Sequence, residues 1–333
     1  MRYVIYGAGA VGGVIGARLF QHGHNVALIA RGAHLAAIRR DGLTFRSAAG
    51  TDTLPIPAAG DPSELGLRSD DVVILTMKAQ DTVAALDRLR ASGGERLPVF
   101  CAQNGVANER IALRRFGCVY GVLVMLPATH LEPGVVQANA SNKTGILDLG
   151  CYPRGSDDPA RAVAADLNAS DFSVEVRDDV MRWKHAKLLG NLRNALQAAC
   201  GLEADTRDLY GLIRDEALAC YRAAGIDYAS PEETQARRDG VMTFDTASGQ
   251  PRRGGSSWQS LERGTGSIES DFLNGEIALL GRLHGVPTPA NAAIQRIAGR
   301  LAREGRPPGS VAPEDVRDEI RMSEAAGVAD ARG

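Results

Sequence analysis

Read for its apolar and polar positions, the chain has two textures. Through its first half, short uncharged runs alternate with stretches of helical period. Tyr3-Val4-Ile5-Tyr6, residues 26–30, Asp71-Val72-Val73-Ile74-Leu75-Thr76 and Pro98-Val99-Phe100-Cys101-Ala102 are apolar almost without a break. Strands covered on both faces look like this. Residues 119–125 and 146–149 continue the series, and 43–46 and 53–56 read as shorter strands. Between them, 11–21, 33–41 and 82–91 carry helical spacing. Such alternation predicts an α/β fold with a doubly wound parallel sheet. From about Asp178 the texture changes to long amphipathic segments, predicting helices over 180–199, 209–224, 231–244, 268–284 and 290–303. The expected division is 1–177, 178–305, and a short helix with a frayed tail over 306–333. A mobile loop rich in Gly, Ser and Arg is expected at 248–257. A ligand is expected between the halves, at the carboxyl ends of the strands.

The first strand runs into Gly7-Ala8-Gly9-Ala10-Val11-Gly12. The uncharged run 3–17 follows Arg2 and could pass for an export signal or an anchor. Five glycines interrupt it, however, and Arg18 and His22 follow at once, which a continuous membrane segment does not allow. The spacing fits a strand, a tight turn and a helix in one dinucleotide-binding βαβ unit. Gly7 permits the turn, Gly9 lets backbone approach a pyrophosphate, and Gly12 lets helix and strand pack closely. The amides opening the helix then face the phosphates. The second strand ends at Arg31, where an NAD site would carry a carboxylate for the ribose 2′-hydroxyl. A guanidinium matches a phosphate in charge and geometry. NADP is therefore the expected cofactor, with Arg31 on the 2′-phosphate; a solvated surface arginine is the alternative.

Composition narrows the picture. Of 333 residues, 44% are hydrophobic and 23% charged, enough for a sizeable core. A net charge of −2 with no basic cluster argues against nucleic acid. No membrane partner is expected. Five scattered cysteines show neither metal spacing nor a disulfide framework, which fits a reducing cytoplasm. The six histidines form no i,i+4 pair, and no metal is expected.

Candidate chemistry lies in the second half. Lys184, Lys187, Asn191 and Asn194 recur at helical spacing and form one stripe beside Leu188, Leu192, Leu196 and Ala199. The stripe suits a polar cleft lining, and equally the wet face of an amphipathic helix. Ser257 and Glu269 flank a glycine-rich turn, with Asp271 two residues on. Glu269 could also be a favourable charge at a helix start. Glu269 and Asp271 do not share a helix face, which weakens a metal dyad.

The motifs GAGAVGG, TMKAQD, AQNG, LEPGVV, KLLGN, SSWQSLERG, IESDFLNG and GVPTPAN occur in this order. Together they resemble the ketopantoate reductase family over residues 1–303. The resemblance implies an N-terminal Rossmann-type domain, an all-helical C-terminal domain and reduction of a 2-oxo acid by NADPH. It implies that residues 7–12 hold the pyrophosphate and Arg31 the 2′-phosphate. Lys78 and Asn104 would line the nicotinamide side, with Asn104 also on substrate and Ala128 on the cofactor. Lys187 would be the proton donor, Asn191 and Ser257 substrate ligands, and Glu269 a ligand of ribose or nascent hydroxyl; Asn194, on the same stripe, is a further candidate substrate ligand. Pairing with a second copy of the chain stays open.

Two departures fall on the substrate side. Where many members carry a second Asn eight residues after the lysine, this chain has Ala195, with Asn194 one place earlier. Before Ser257 stands Arg-Arg-Gly-Gly-Ser rather than a Thr-Ser-Met-like run. Ketopantoate is the leading substrate. Another 2-oxo acid, an imine, a 3-oxo acid and a non-enzymatic NADP sensor are the alternatives.

Overall fold

A computed structural model describes residues 1–130, 132–244, 254–264 and 266–330. Residues 248–253 of the glycine-rich loop and 331–333 of the tail lie outside them. The described chain forms two compact units. The first runs from Met1 to Lys184 and takes in the segment beginning at Ala229; the second holds His185–Tyr228 and the described residues from Gly254.

The first unit contains β1 (Arg2–Tyr6), α1 (Ala10–Gln21), β2 (Asn25–Ile29), α2 (Gly32–Asp41), β3 (Leu43–Ser47), β4 (Gly50–Leu54), β5 (Ala58–Ala59) and β6 (Asp71–Leu75). It continues with α3 (Thr82–Ala91), β7 (Val99–Cys101), α4 (Asn108–Leu113), β8 (Val119–Val122), β9 (Ala128–Thr129), β10 (Val135–Ala138), β11 (Ala140–Asn142), β12 (Leu149–Cys151), α5 (Asp158–Ala169) and the start of α6 (Val180–Asn191), up to Lys184. The main sheet has the order β12-β8-β7-β6-β1-β2-β5. All its pairs are parallel except β12 on β8. Its period-two logic is clear in β1. Tyr3 and Ile5 enter one apolar layer with Val14, Leu19, Phe100 and Tyr120. Val4 and Tyr6 enter the other with Leu86, Leu89 and Phe116. Burial on both faces is why these strands read as unbroken apolar runs. β1 lies between β2 and β6, so strand order reverses at its carboxyl end, where such sheets bind ligands. A second sheet, β4-β3-β10-β9, packs Val136 against the glycine face of α1.

The second unit is helical: α7 (Arg193–Cys200), α8 (Arg207–Ala224), α10 (Ser256–Glu262), α11 (Asn274–His284), α12 (Pro289–Arg303) and α13 (Pro313–Asp330). Between α8 and α10 in sequence, α9 (Pro231–Arg238) and β13 (Met242–Phe244) belong to the first unit.

Three expectations change here. The helix expected over 231–244 ends at Arg238, because Gly240 adopts φ +70, and the chain continues as β13 paired to β11. Asp148, fully buried, holds α9 to the sheet unit by accepting from Arg237 at 2.6 and 2.9 Å and from Arg177 at 2.9 Å. The helix expected over 180–199 drops out of register at Leu192, whose carbonyl takes a hydrogen bond from the buried Asn274 amide at 3.2 Å. The short terminal helix is 18 residues long.

Candidate active site

At the switch point the backbone does most of the work. Gly7 adopts φ +105, and a Cβ there would lie 2.7 Å from the Met77 amide nitrogen. The Gly7 and Ala8 amides both donate to Ile29 O at 3.0 Å, and the Gly9 amide donates to Gly7 O at 2.7 Å. These three bonds turn the loop inward. The amides of Ala10, Val11 and Gly12, in the first turn of α1, have no carbonyl four residues back within the helix. A Cβ on Gly9 would meet nothing within 4 Å, so the approach to those amides is open. With no acidic residue in the first turn, the helix start offers donors and a positive dipole end to an anion. Residues 7–12 thus fit a dinucleotide pyrophosphate.

Gly12 is the tightest of the three. A Cβ would come within 2.3 Å of Thr76 Oγ1 and 2.4 Å of Gly7 O. Thr76 Oγ1 cannot retreat without losing the hydrogen bonds it donates to Gly7 O (2.7 Å) and Tyr6 O (3.1 Å). Gly12→Ala is expected to lose about 1–3 kcal/mol of stability through overpacking, read as a fall in the urea midpoint. An unchanged midpoint would contradict this packing.

His34, in the first turn of α2, bonds the same loop. Its Nδ1 accepts from the Gly134 amide at 2.8 Å, so Nε2–H is left to donate to Ala8 O at 2.7 Å. Burial lowers its pKa below the ordinary histidine value. The unfolded chain therefore takes up this proton more readily than the folded one. The stability His34 contributes is present above pH about 6.5 and is lost as pH falls from there toward the lower folded value. Wild-type melting temperature should drop below pH about 6.5, and less steeply in His34→Gln. Parallel pH curves for the two proteins would refute the assignment.

Arg31 caps α2 at the end of β2, and its guanidinium bonds Asp81 at 2.9 Å with its side chain 70% exposed. Lys78 and Asn104, both half-buried, follow β6 and β7. Ala128, the expected cofactor contact, is 5% exposed and its side chain belongs to the apolar core. The sequence stripe also loses a member. Lys184 is 4% exposed and paired with the fully buried Glu109. A buried ammonium needs a carboxylate and carbonyls around it, and it finds them inside the first unit.

In the second unit, Lys187 and Asn191 lie four residues apart on α6, hence on one face, and both are half-buried. Asn194 follows the break at Leu192, and its Oδ1 lies 3.1 Å from where a Gly255 Cβ would stand. The two sequence departures therefore meet: glycine at 255 makes room for the shifted amide. Ala195, where many relatives of this motif carry Asn, is buried at 1% exposure. Glu269 opens a 3₁₀ turn, is 4% exposed, and accepts from Ser256 Oγ at 3.4 Å. Ser257 is 1% exposed, and its half-buried neighbour Ser256 is the serine that faces Glu269. Asp271 is held elsewhere, by Gln295 at 2.8 Å. Among the described residues no group of three or more His, Cys, Asp and Glu could hold a metal. No helix among them is long and apolar enough to cross a membrane.

Residues 3–153 match the family model for ketopantoate reductase PanE/ApbA, and residues 179–302 match the model for its C-terminal part. The chain belongs to this family. It is 29% identical over 300 residues to the 2-dehydropantoate 2-reductase of Pyrococcus horikoshii, covering 87% of this chain and 94% of that one. It is 28% identical over 336 residues to the Mesorhizobium japonicum 2-dehydropantoate 2-reductase, covering 91% and 98%. Among solved structures, a PanE/ApbA family ketopantoate reductase from Ralstonia eutropha superposes with a TM-score of 0.78 at 28% identity, covering 92% and 99%. A D-mandelate dehydrogenase bound to NADH and anilino(oxo)acetate shares the fold at the same TM-score and 23% identity, covering 92% and 99%. The family is one of reductases of a 2-oxo acid, 2-dehydropantoate.

Sequence reasoning passed over Ser256, because it adjoins the serine chosen. It passed over Gln103 and Glu109 because nothing local marks an internal polar residue.

Proposed function

We propose that this chain is an NADPH-dependent reductase that converts a 2-oxo acid to the 2-hydroxy acid, with 2-dehydropantoate as the first substrate to test. The observation that carries the reading is a nucleotide end and an acid–base set in one chain of this family. Residues 7–12 form an open phosphate cradle, and Lys187, Asn191, Asn194, Ser256 and Glu269 supply the polar groups. A reduced nicotinamide, when bound, supplies the hydride.

The amides of Ala10, Val11 and Gly12 receive the pyrophosphate, and Arg31 receives the ribose 2′-phosphate. Arg31 would have to leave Asp81 to do so. An exposed pair of this kind is worth about 0.2–1 kcal/mol, less than charge-assisted bonds to a dianionic phosphate, so the phosphate wins. Lys78 and Asn104 orient the nicotinamide end and the substrate carbonyl. Lys187 places its ammonium on the carbonyl oxygen, where negative charge grows as the carbon is reduced, and gives up a proton there. Asn191 and Asn194 donate to the acid's oxygens. Glu269 accepts from a hydroxyl, on the ribose or the nascent product, with Ser256 holding its other side. Ser257 binds a substrate oxygen, as the family motif implies.

A panel of 2-oxo acids followed by loss of NADPH absorbance tests the proposal. Turnover of 2-dehydropantoate above the rest supports the named substrate. Preference for an aryl 2-oxo acid would move the assignment toward the chemistry of the D-mandelate dehydrogenase. Tight NADPH binding with no oxidation by any acid would leave the sensor reading.

A further inference from the structure

We propose that Gln103 is a positioning residue: clamped by the buried Lys184–Glu109 pair, it fixes Lys78 and Asn104 relative to each other and so sets the nicotinamide end of the cofactor site. The proposal rests on the nucleotide-site reading above.

Two hydrogen-bonded systems meet at Gln103. Its side-chain amide donates to Met77 O at 2.9 Å, immediately before Lys78, and to Thr82 Oγ1 at 2.8 Å. Thr82 Oγ1 donates to Asn108 Oδ1 at 2.8 Å, and Asn108 Nδ2 donates to Asn104 O at 3.1 Å. The circuit thus leaves Gln103 and closes on the next residue. Gln103, Thr82 and Asn108 are exposed by 4%, 0% and 1%, so water does not compete for these bonds.

The backbone of Gln103 is held separately. Lys184 Nζ donates to Gln103 O at 3.0 Å, to Val122 O at 3.2 Å and to Cys101 O at 3.3 Å, besides pairing with Glu109. Cys101 and Val122 are the last residues of β7 and β8, where carbonyls run past the end of the ladder. Glu109 belongs to α4, the helix that also carries Asn108. A single ammonium therefore ties two strand ends, one helix and the loop bearing Asn104. Such a buried pair is poor value as stabilisation, since apolar replacements are often as stable. What it supplies here is a fixed position for the Gln103 carbonyl, and through the amide circuit a fixed position for Met77. Lys78 and Asn104 flank this junction, each one residue away.

The test compares two ligands that differ at the nicotinamide end. NADPH carries it; 2′-phospho-ADP-ribose has the same adenosine half and pyrophosphate and lacks it. Titration calorimetry on Gln103→Leu should show NADPH weakened by about tenfold, as expected for two lost hydrogen bonds, with 2′-phospho-ADP-ribose within about twofold of wild type. The double variant Lys184→Met/Glu109→Leu, which leaves no lone buried charge, should give the same selective loss. NADH against ADP-ribose repeats the comparison without the 2′-phosphate. Equal weakening of both ligands means a purely structural role and overturns the proposal, as does no weakening of either. Wild type that binds none of the four overturns the nucleotide-site reading itself.

Discussion

Replacing Lys187 with alanine is expected to lower kcat for 2-oxo acid reduction by about 10²–10⁴-fold, the range for removing a positioned general acid. The affinity for NADPH should stay within about twofold, because the amides proposed to receive the pyrophosphate sit on α1 in the other unit. The reason lies in where charge appears. A carbonyl gaining hydride becomes an alkoxide unless a proton arrives, and an ammonium beside that oxygen both stabilises the charge and supplies the proton. Arginine at 187 should rescue little: it keeps the charge but holds its proton too tightly to donate it. Steady-state rates and a fluorescence titration read the two quantities. An alanine variant with unchanged kcat would remove Lys187 from the chemistry.

The second large effect is on cofactor choice. Arg31→Ala should raise KM for NADPH by about 10–100-fold, the cost of about 1.5–3 kcal/mol in lost charge-assisted bonds, and leave KM for NADH nearly unchanged. The reciprocal variant is Asp81→Asn. It removes the carboxylate that holds Arg31 in the free protein and should lower KM for NADPH without affecting NADH. Equal changes for both nucleotides in Arg31→Ala would show that this arginine is a surface residue paired with Asp81 and nothing more.

How much of this was legible beforehand follows from how local each signal is. The β1–loop–α1 unit could be read directly, since strand burial, the positive φ of Gly7 and the close packing of Gly12 each restrict the residue type at one position. The helical second unit was likewise visible in its spacing. What escaped depends on partners far along the chain. Lys184 matched the helical period of Lys187 and Asn191, and only Glu109 shows that it points into the sheet unit. The break at Leu192 depends on Asn274, and the return of α9 to the sheet on Asp148 meeting Arg237. Gly240 did carry a local signal for the end of α9, and apolar spacing hid it. Ser256 and Ser257 could not be told apart without knowing which hydroxyl faces Glu269.

The most direct test of the account is isotopic. Protein is mixed with NADPH carrying deuterium at the transferable C4 position and with a panel of 2-oxo acids headed by 2-dehydropantoate, and the acid is analysed by mass spectrometry. Wild type is expected to form a 2-hydroxy acid one mass unit heavier than the unlabelled product, with deuterium at C2, and Lys187→Ala almost none. Deuterium that stays on the bound nucleotide with every acid in the panel would contradict it.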